Sequence, residues 1–273
     1  MNGAPLRYGG WLGVAERAGR TVVRGVEETG FAGMLLLESI YWMVMGRRHG
    51  QRVRFSAVVA QMMEVGVRAV PIVLILSATI GVMLAIQGIY TLRMFGAEER
   101  VVIGIAFTVV REFAPMITGI VVAGRSGSAL AARIASMTAN QEVDALQVMA
   151  INPVRYLVTP VLAAMMIMLP CLTFFADAAG MLAAALYVQF DLGLSLGAFA
   201  DQTLLILRVG DLLHGLGKSI LFAILITLVG VANGASIQGG AEGVGRVTTR
   251  AVVHAIAAIV ITDMVFAFLV TSR

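Results

Sequence analysis

Charge is scarce in this chain. Only 13% of its 273 residues are Asp, Glu, Lys or Arg, against 59% hydrophobic, and the mean hydropathy is +0.90. A soluble domain has no use for so much apolar surface, so the bilayer is the solvent this composition implies. Cysteine occurs once, as Cys171 within an apolar run. That excludes an intrachain disulfide and leaves the reading of a small buried hydrophobe. The three histidines, His49, His214 and His254, lack metal-ligand spacing, so no metal site is expected. Arg7, Arg17, Arg20 and Arg24 precede no apolar core with a small-residue cleavage site, so no cleaved signal peptide is expected.

Two near-motifs also fall away. Gly217-Lys218-Ser219 ends like a phosphate loop, but the position needing the earlier Gly is Leu212, and its flanks are apolar. Gly124-Arg125-Ser126-Gly127-Ser128 resembles a nucleophile elbow but ends in Ser, with no strand before it and no His/acid partner in place. No catalytic residue and no cofactor bound by this chain is expected. Gly124, Gly127 and Ser128 read instead as small residues for close helix packing.

The charges that are present are unevenly placed. The pI is about 9.7, yet nine of the 20 basic residues lie in the first 68 positions, beside apolar helices. That is the positive-inside pattern, not a nucleic-acid surface. Five crossings are predicted, at about 71–92, 101–123, 156–185, 212–232 and 250–270. The third contains Pro160, Pro170 and Asp177 and is expected to kink or tilt. With the N-terminus inside, 14 basic residues fall inside, four outside and two, Arg111 and Lys218, within spans. Before the crossings, Gly30 to Met45 carries Glu38 near its middle and reads as an interfacial or re-entrant helix. Phe55 to Ala69 is amphipathic, with Phe55, Val58, Val59 and Met62 on one face and a Glu64/Arg68 pair at i,i+4 on the other. The fold class is therefore an all-α polytopic membrane protein. Interfacial helices occupy 1–70 and the transmembrane domain 71–273, and a short helix is expected in the outer connection Asp191 to Leu207.

Two features carry functional information. The polar stretch Ala123 to Tyr156 lies between apolar spans and is rich in helix caps. Thr138 with Gln141 fits a capping box, with Asn140 as an alternative cap. Glu142 and Asp144 suit the first turn of a helix that runs to about Ala150 and stops at Asn152-Pro153. Val143, Leu146 and Met149 or Ala150 give it an apolar stripe. It reads as a docking helix for a cytoplasmic subunit, with a solvated loop helix as the plain alternative. The second feature is intramembrane charge: Arg111 and Glu112 in the second span, Lys218, the only lysine, in the fourth, and Asp263 in the fifth. Four unpaired charges at about 3 kcal/mol each would cost on the order of 10 kcal/mol, comparable to a whole domain's stability. They must face the protein interior, a partner or a polar cavity. Lys218 and Asp263 fall at similar depth and can pair, whereas Arg111 and Glu112 diverge by about 100°. Ion pairs that only hold helices together are one reading. A cavity for a zwitterionic or anionic head group with apolar walls is the other.

Taken in order, several pieces resemble the MlaE (YrbE) family of permeases, membrane subunits of ABC lipid transporters that work with MCE-domain proteins. They are Glu64-Val-Gly-Val-Arg68, Gln87-Gly88, Leu92-Arg93, Phe95-Gly-Ala-Glu98, Arg111-Glu-Phe-Ala-Pro115, Ala123-Gly-Arg-Ser-Gly-Ser-Ala129, Gln141-Glu-Val-Asp-Ala-Leu146 and Asn152-Pro-Val-Arg-Tyr156. Further on come Asp211, Gly215, Lys218-Ser219, Gly239-Gly-Ala-Glu-Gly-Val-Gly245, Thr248-Thr-Arg-Ala-Val-Val253 and Asp263. The resemblance covers roughly Glu64 to Leu269. It implies a homodimer in the bacterial inner membrane, in which the asymmetry of basic residues and the five crossings put the N-terminus in the cytoplasm and the C-terminus in the periplasm. It further implies a coupling segment, within 125–155, that contacts a cytoplasmic ATPase through Arg133, Gln141, Glu142, Asp144 and Leu146. ATP and Mg would be bound by that partner. A periplasmic MCE-domain protein and a small STAS-type accessory subunit complete the implied partners. Phospholipid would bind between the two permease copies, with Arg111, Glu112, Lys218, Arg250 and Asp263 matching charged positions tied to the lipid cavity or its helix pairing. Two departures stand out. Arg133 occupies a position that is usually acidic in the family, and Val231-Ala-Asn-Gly-Ala-Ser236 replaces an aromatic-containing turn.

The expected function is thus a permease moving phospholipid or a related lipid between the inner membrane and a periplasmic carrier. An ion-coupled secondary transporter using Glu112 or Asp263 is the rival. An intramembrane enzyme is disfavoured by the lack of paired carboxylates or a Ser/His dyad at matched depth. An unpowered scaffold would tolerate loss of Arg111 or Lys218.

Overall fold

The computed structural model describes residues 11–46 and 54–271, and among these no strand occurs. Eleven α-helices make up the described chain. They are α1 (Trp11–Met45), α2 (Phe55–Val65), α3 (Val70–Arg93), α4 (Val101–Thr108), α5 (Ala114–Val122), α6 (Ser128–Ala139), α7 (Glu142–Val148), α8 (Thr159–Leu192), α9 (Leu196–Ile206), α10 (Val209–Ala235) and α11 (Ala241–Thr271). Of the basic residues between α1 and α2, Arg47, Arg48 and Arg52 lie outside the described residues. Five stretches are long and apolar enough to cross a membrane: Phe55–Arg93, Glu98–Ala139, Val154–Leu192, Val209–Ala235 and Ala241–Leu269. The protein is an all-α polytopic membrane protein. Successive crossings define a near face, holding the start of α2, the α6–α7 turn and the α10–α11 turn, and a far face holding α9 and the end of α11.

The number of crossings matches the expectation, but their extents do not. The amphipathic stretch leads into the first crossing, as expected. α2 runs into α3 through Gly66 and a 3-10 turn at Val67–Ala69, and Pro71 sits in the first turn of α3, where its missing N–H costs nothing. The 3-10 turn also breaks the helical spacing between Glu64 and Arg68, and they are not among the ion pairs of the described residues. α1 is longer than the predicted Gly30–Met45 segment. α8 carries Pro170 inside one continuous 34-residue helix. The outer connection forms α9, capped by Ser195, whose Oγ accepts from the Ala198 N–H at 3.2 Å. Cys171 is exposed on α8 rather than buried, because the buried stripe there is carried by Leu169, Leu172 and Thr173.

Small residues set the packing. α3 and α8 run parallel in constant register. Ser77 Oγ donates to the Ala176 carbonyl at 2.5 Å, 99 residues on. A Cβ on Gly81 would collide with the Gly180 carbonyl. At the far face Arg93 bonds Asp191 at 2.8 Å, 98 residues on. Ser77, Gly81 and Ala85 therefore oppose Ala176, Gly180 and Ala184, all buried, a small-xxx-small interface that lets two backbones touch. α10 lies in the same way along the 98–139 crossing. Cβ atoms on Gly215, Gly230 and Gly234 would press on the carbonyls of Val110, Gly127 and Ala131. The residue numbers differ by 105 at the first contact and by 103 at the other two. The two-residue slip matches two π-helical turns, Val109–Phe113 and Ala123–Gly127, each of which inserts a residue without lengthening the helix.

Candidate functional site: a buried lysine among three helices

The π-turn at Val109–Phe113 holds Arg111 and Glu112. Being adjacent, they diverge, and each finds its own partner on α10. Arg111 Nη2 lies 2.5 Å from Asp211 Oδ1 and its Nε donates to the same oxygen at 2.8 Å. Glu112 Oε2 accepts from Lys218 Nζ at 2.6 Å. Asp211 and Lys218 are seven residues apart, about 10 Å along the helix axis. Two rungs thus join the second crossing to the fourth, Arg111 reaching toward the far face and Glu112 deeper. A third contact closes the group: Lys218 Nζ is 2.9 Å from Asp263 Oδ1 on α11. This is an ion pair by distance, not a well-directed hydrogen bond, since Asp263 Oδ1 has no hydrogen-bond donor.

Burial orders the group. The Lys218 side chain is fully buried, Asp263 is 15% exposed, and Glu112 and Arg111 are 38% and 43% exposed. A buried ammonium is tolerable only when its charge is matched and its donors are used. Here two carboxylates face it, and the Phe266 ring lies 5.8 Å from Nζ. The Phe107 ring lies 5.2 Å from the Arg111 guanidinium, a cation–π distance. Arg111, Asp211, Glu112, Lys218 and Asp263 together carry one net negative charge. The open flank presents one guanidinium and one carboxylate, polarity matched to a zwitterionic group.

Asp211 was not among the residues singled out as a site by sequence reasoning. Its signal is local. It lies three residues after Arg208, whose backbone N–H donates to Asp211 Oδ2 at 2.8 Å, so one carboxylate oxygen completes the start of α10 while the other holds Arg111. A further acid, Asp177, is buried on α8 with neither oxygen hydrogen-bonded.

Arg250 does not join this group. Its Nε donates to Asn233 Oδ1 at 2.9 Å and its Nη2 to Ser236 Oγ at 2.6 Å, tying the α10–α11 turn at the near face. Thirteen residues separate it from Asp263, about 20 Å along α11. Of the three small residues, Gly127 packs: a Cβ there would press on Ile226. Gly124, on the π-turn, faces open space, and a Cβ there would meet no described residue within 4 Å. Ser128 Oγ contacts the carbonyls of Gly124 and Arg125 at 2.5 and 2.9 Å, groups that the π-turn frees from regular helix bonding.

The coupling stretch is two helices, not one capped helix. Gln141 adopts a left-handed conformation, φ 60°, so its side chain cannot serve the predicted box, and Thr138 Oγ1 bonds back to the Ile134 carbonyl at 2.8 Å. α7 ends at Val148. Glu142 and Asp144 occupy its first turn, Leu146 is buried, and Val148 and Met149 project, 88% and 60% exposed. Arg133 turns the other way, toward α2, with Nη2 3.5 Å from Gln61 Oε1.

Residues 58–269 match the family described as Permease MlaE. The chain belongs to the MlaE permease family. It is 32% identical over 238 residues to the intermembrane phospholipid transport system permease protein MlaE of Haemophilus influenzae, covering 87% of this chain and 89% of that one. It is 32% identical over 208 residues to a probable ABC transporter permease protein of Rickettsia typhi, with 76% and 80% covered. The chloroplastic protein TRIGALACTOSYLDIACYLGLYCEROL 1 of Arabidopsis thaliana is 33% identical over 216 residues, 78% of this chain and 61% of that protein. The matched region takes in all five candidate spans, save the first three residues of the first, and the whole Arg111–Asp263 charge group. As an MlaE permease, the chain is a membrane permease subunit of the ABC transporter type.

Proposed function

We propose that the chain moves phospholipid, or a closely related lipid, between the inner membrane and a periplasmic MCE-domain carrier, driven by ATP and Mg bound on a separate cytoplasmic ATPase. The observation that carries this reading is the family match across every crossing, together with a relative of nearly equal length named for intermembrane phospholipid transport. The geometry supports it. Arg111 and Glu112 offer a lipid head group both signs of charge, while Asp211 fixes Arg111, and Lys218, backed by Asp263, fixes Glu112.

The near face is cytoplasmic in this reading. Gln141, Glu142 and Asp144 at the start of α7, with the projecting Val148 and Met149, face the ATPase, Leu146 anchors that helix from beneath, and Arg133 on α6 adds a cation on the side that faces α2. A second copy of the chain covers the apolar flank left by α3 and α11, the two crossings with the smallest buried shares, 28% and 11%. A small STAS-type accessory subunit also belongs to this assembly.

Affinity purification from the native membrane, with mass spectrometry of bound proteins and lipids, tests the reading. An ATPase, an MCE-type protein and co-purifying phospholipid are the expected result. A chain that purifies without an ATPase, and whose transport collapses with the proton gradient, overturns it in favour of an ion-coupled carrier.

A further inference from the structure

We infer that a second, separate anion site lies at the near face, between α2 and the Ala123–Gly127 π-turn, and that it holds a phosphate group. A cavity of about 220 Å³ opens there, far above the ~15 Å³ that one water needs. Its lining includes Arg68, Arg125, Arg133, Glu64, Gln61 and Ser126. Three guanidinium groups thus face one carboxylate, and the ion pairs of the described residues engage none of them.

The arginines are only partly used. Arg125 donates from Nη1 to the Glu64 carbonyl at 3.2 Å. Arg133 makes one long contact to Gln61, and its Nε is buried without any acceptor. Among the described residues the Arg68 side chain has no hydrogen-bond or ion-pair partner. A buried guanidinium donor left empty costs free energy, and planar forks of this kind match phosphate oxygens two at a time. The π-turn carries Arg125, the 3-10 turn carries Arg68, and both irregular segments aim into the same space.

Depth argues for a lipid-level phosphate rather than a protein side chain. Arg125 lies fourteen residues before the end of α6 at Ala139, about 21 Å from the α6–α7 turn that projects from the near face. Phe55, Val59 and Met63 of α2 are exposed on the neighbouring surface, at 79%, 40% and 54%, as suits an amphipathic helix seated among head groups. The shared chemistry is a phosphate mono- or diester. An anionic lipid head group and free phosphate are its two sources.

The test uses the full chain in phosphatidylcholine nanodiscs containing a minor fraction of phosphatidylglycerol. Native mass spectrometry counts retained phosphatidylglycerol, and inorganic phosphate is titrated in parallel in phosphatidylcholine alone. Arg68→Gln is the central variant, because Arg68 is exposed and holds no contact that folding needs. The expected result is retention of the anionic lipid by the unmodified chain and a loss of about tenfold in Arg68→Gln, the scale of one charge-assisted hydrogen bond. Arg246→Gln, at the same face but outside the cavity, should retain it. Binding of phosphatidylglycerol alone names a lipid head group as the source, and binding of inorganic phosphate names the free anion. Equal retention by Arg68→Gln and the unmodified chain overturns the site. So does a crosslink from Ala129→Cys to the ATPase, which would give the cavity to a protein partner. The outcome does not depend on whether the chain transports lipid.

Discussion

Lys218 on α10 donates to Glu112 on the second crossing at 2.6 Å while itself fully buried. Lys218→Ala would leave Glu112 and Asp263 facing each other with no cation between them. Removing one partner of a buried pair costs about 3 kcal/mol at the lower end of the usual range, and Glu112's partial exposure keeps the effect there. Thermal unfolding in detergent should show the loss. The triple change Lys218→Met, Glu112→Gln, Asp263→Asn should recover most of the stability, since no unpaired charge remains. If transport stays absent in the stable triple variant, the charges serve transport and not only helix pairing. Restored transport would show that they only hold the helices together.

Arg111 and Asp211 form the second rung. A double-mutant cycle with Arg111→Gln and Asp211→Asn should give a coupling energy of about 1 kcal/mol, since the arginine is 43% exposed and water screens it. The asymmetry is the informative part. Asp211→Asn also weakens the start of α10, because Asp211 bonds the Arg208 N–H, so it should destabilise more than Arg111→Gln. Equal single-mutant effects in chemical denaturation would contradict that dual role.

The sequence carried the crossings and the charges, but not how the charges connect. Hydropathy alone places five spans, and mid-span charge marks Arg111, Glu112, Lys218 and Asp263, because bilayer burial penalises every exception. Which residues meet depends on register between helices a hundred residues apart. That register is set by glycine contacts and by two π-turns that no local pattern announces. Asp211 enters the resemblance but gains no site role from it, because it lies at a helix start, where an acid needs no special explanation. Gln141 escaped because a left-handed glutamine has no sequence signature, and the S/T-x-x-Q spacing at Thr138 imitated a box that the backbone does not form.

The α3–α8 interface can be tested by size. Gly81→Val forces a side chain into the Gly180 backbone, which cannot yield as a side-chain tip would, and overpacking of this kind costs about 1–3 kcal/mol or more. Gly104 is the control. A Cβ there meets nothing within 4 Å, so Gly104→Ala should be neutral or stabilising by up to about 1 kcal/mol through helix propensity. Comparable losses of folded yield in both variants would argue against the close α3–α8 approach.

The coupling surface makes the last prediction. Glu142 and Asp144 stand in the first turn of α7, exposed, with Asn140 Nδ2 3.3 Å from Glu142 Oε1. Reversing both, as Glu142→Lys with Asp144→Lys, places two cations at the positive end of a seven-residue helix, a penalty of about 0.3–1 kcal/mol each. That is too little to unfold a five-span protein whose core lies elsewhere, so membrane insertion and thermal stability should stay close to normal. Association with the ATPase should fall, because an acidic docking face becomes basic and charge complementarity governs encounter and register more than it governs folding. Co-purification at low and high salt separates the two possibilities. If the reversed chain recovers the ATPase as well as the unmodified one at low salt, α7 is not the docking helix. The projecting Val148 and Met149 would then be the next residues to change.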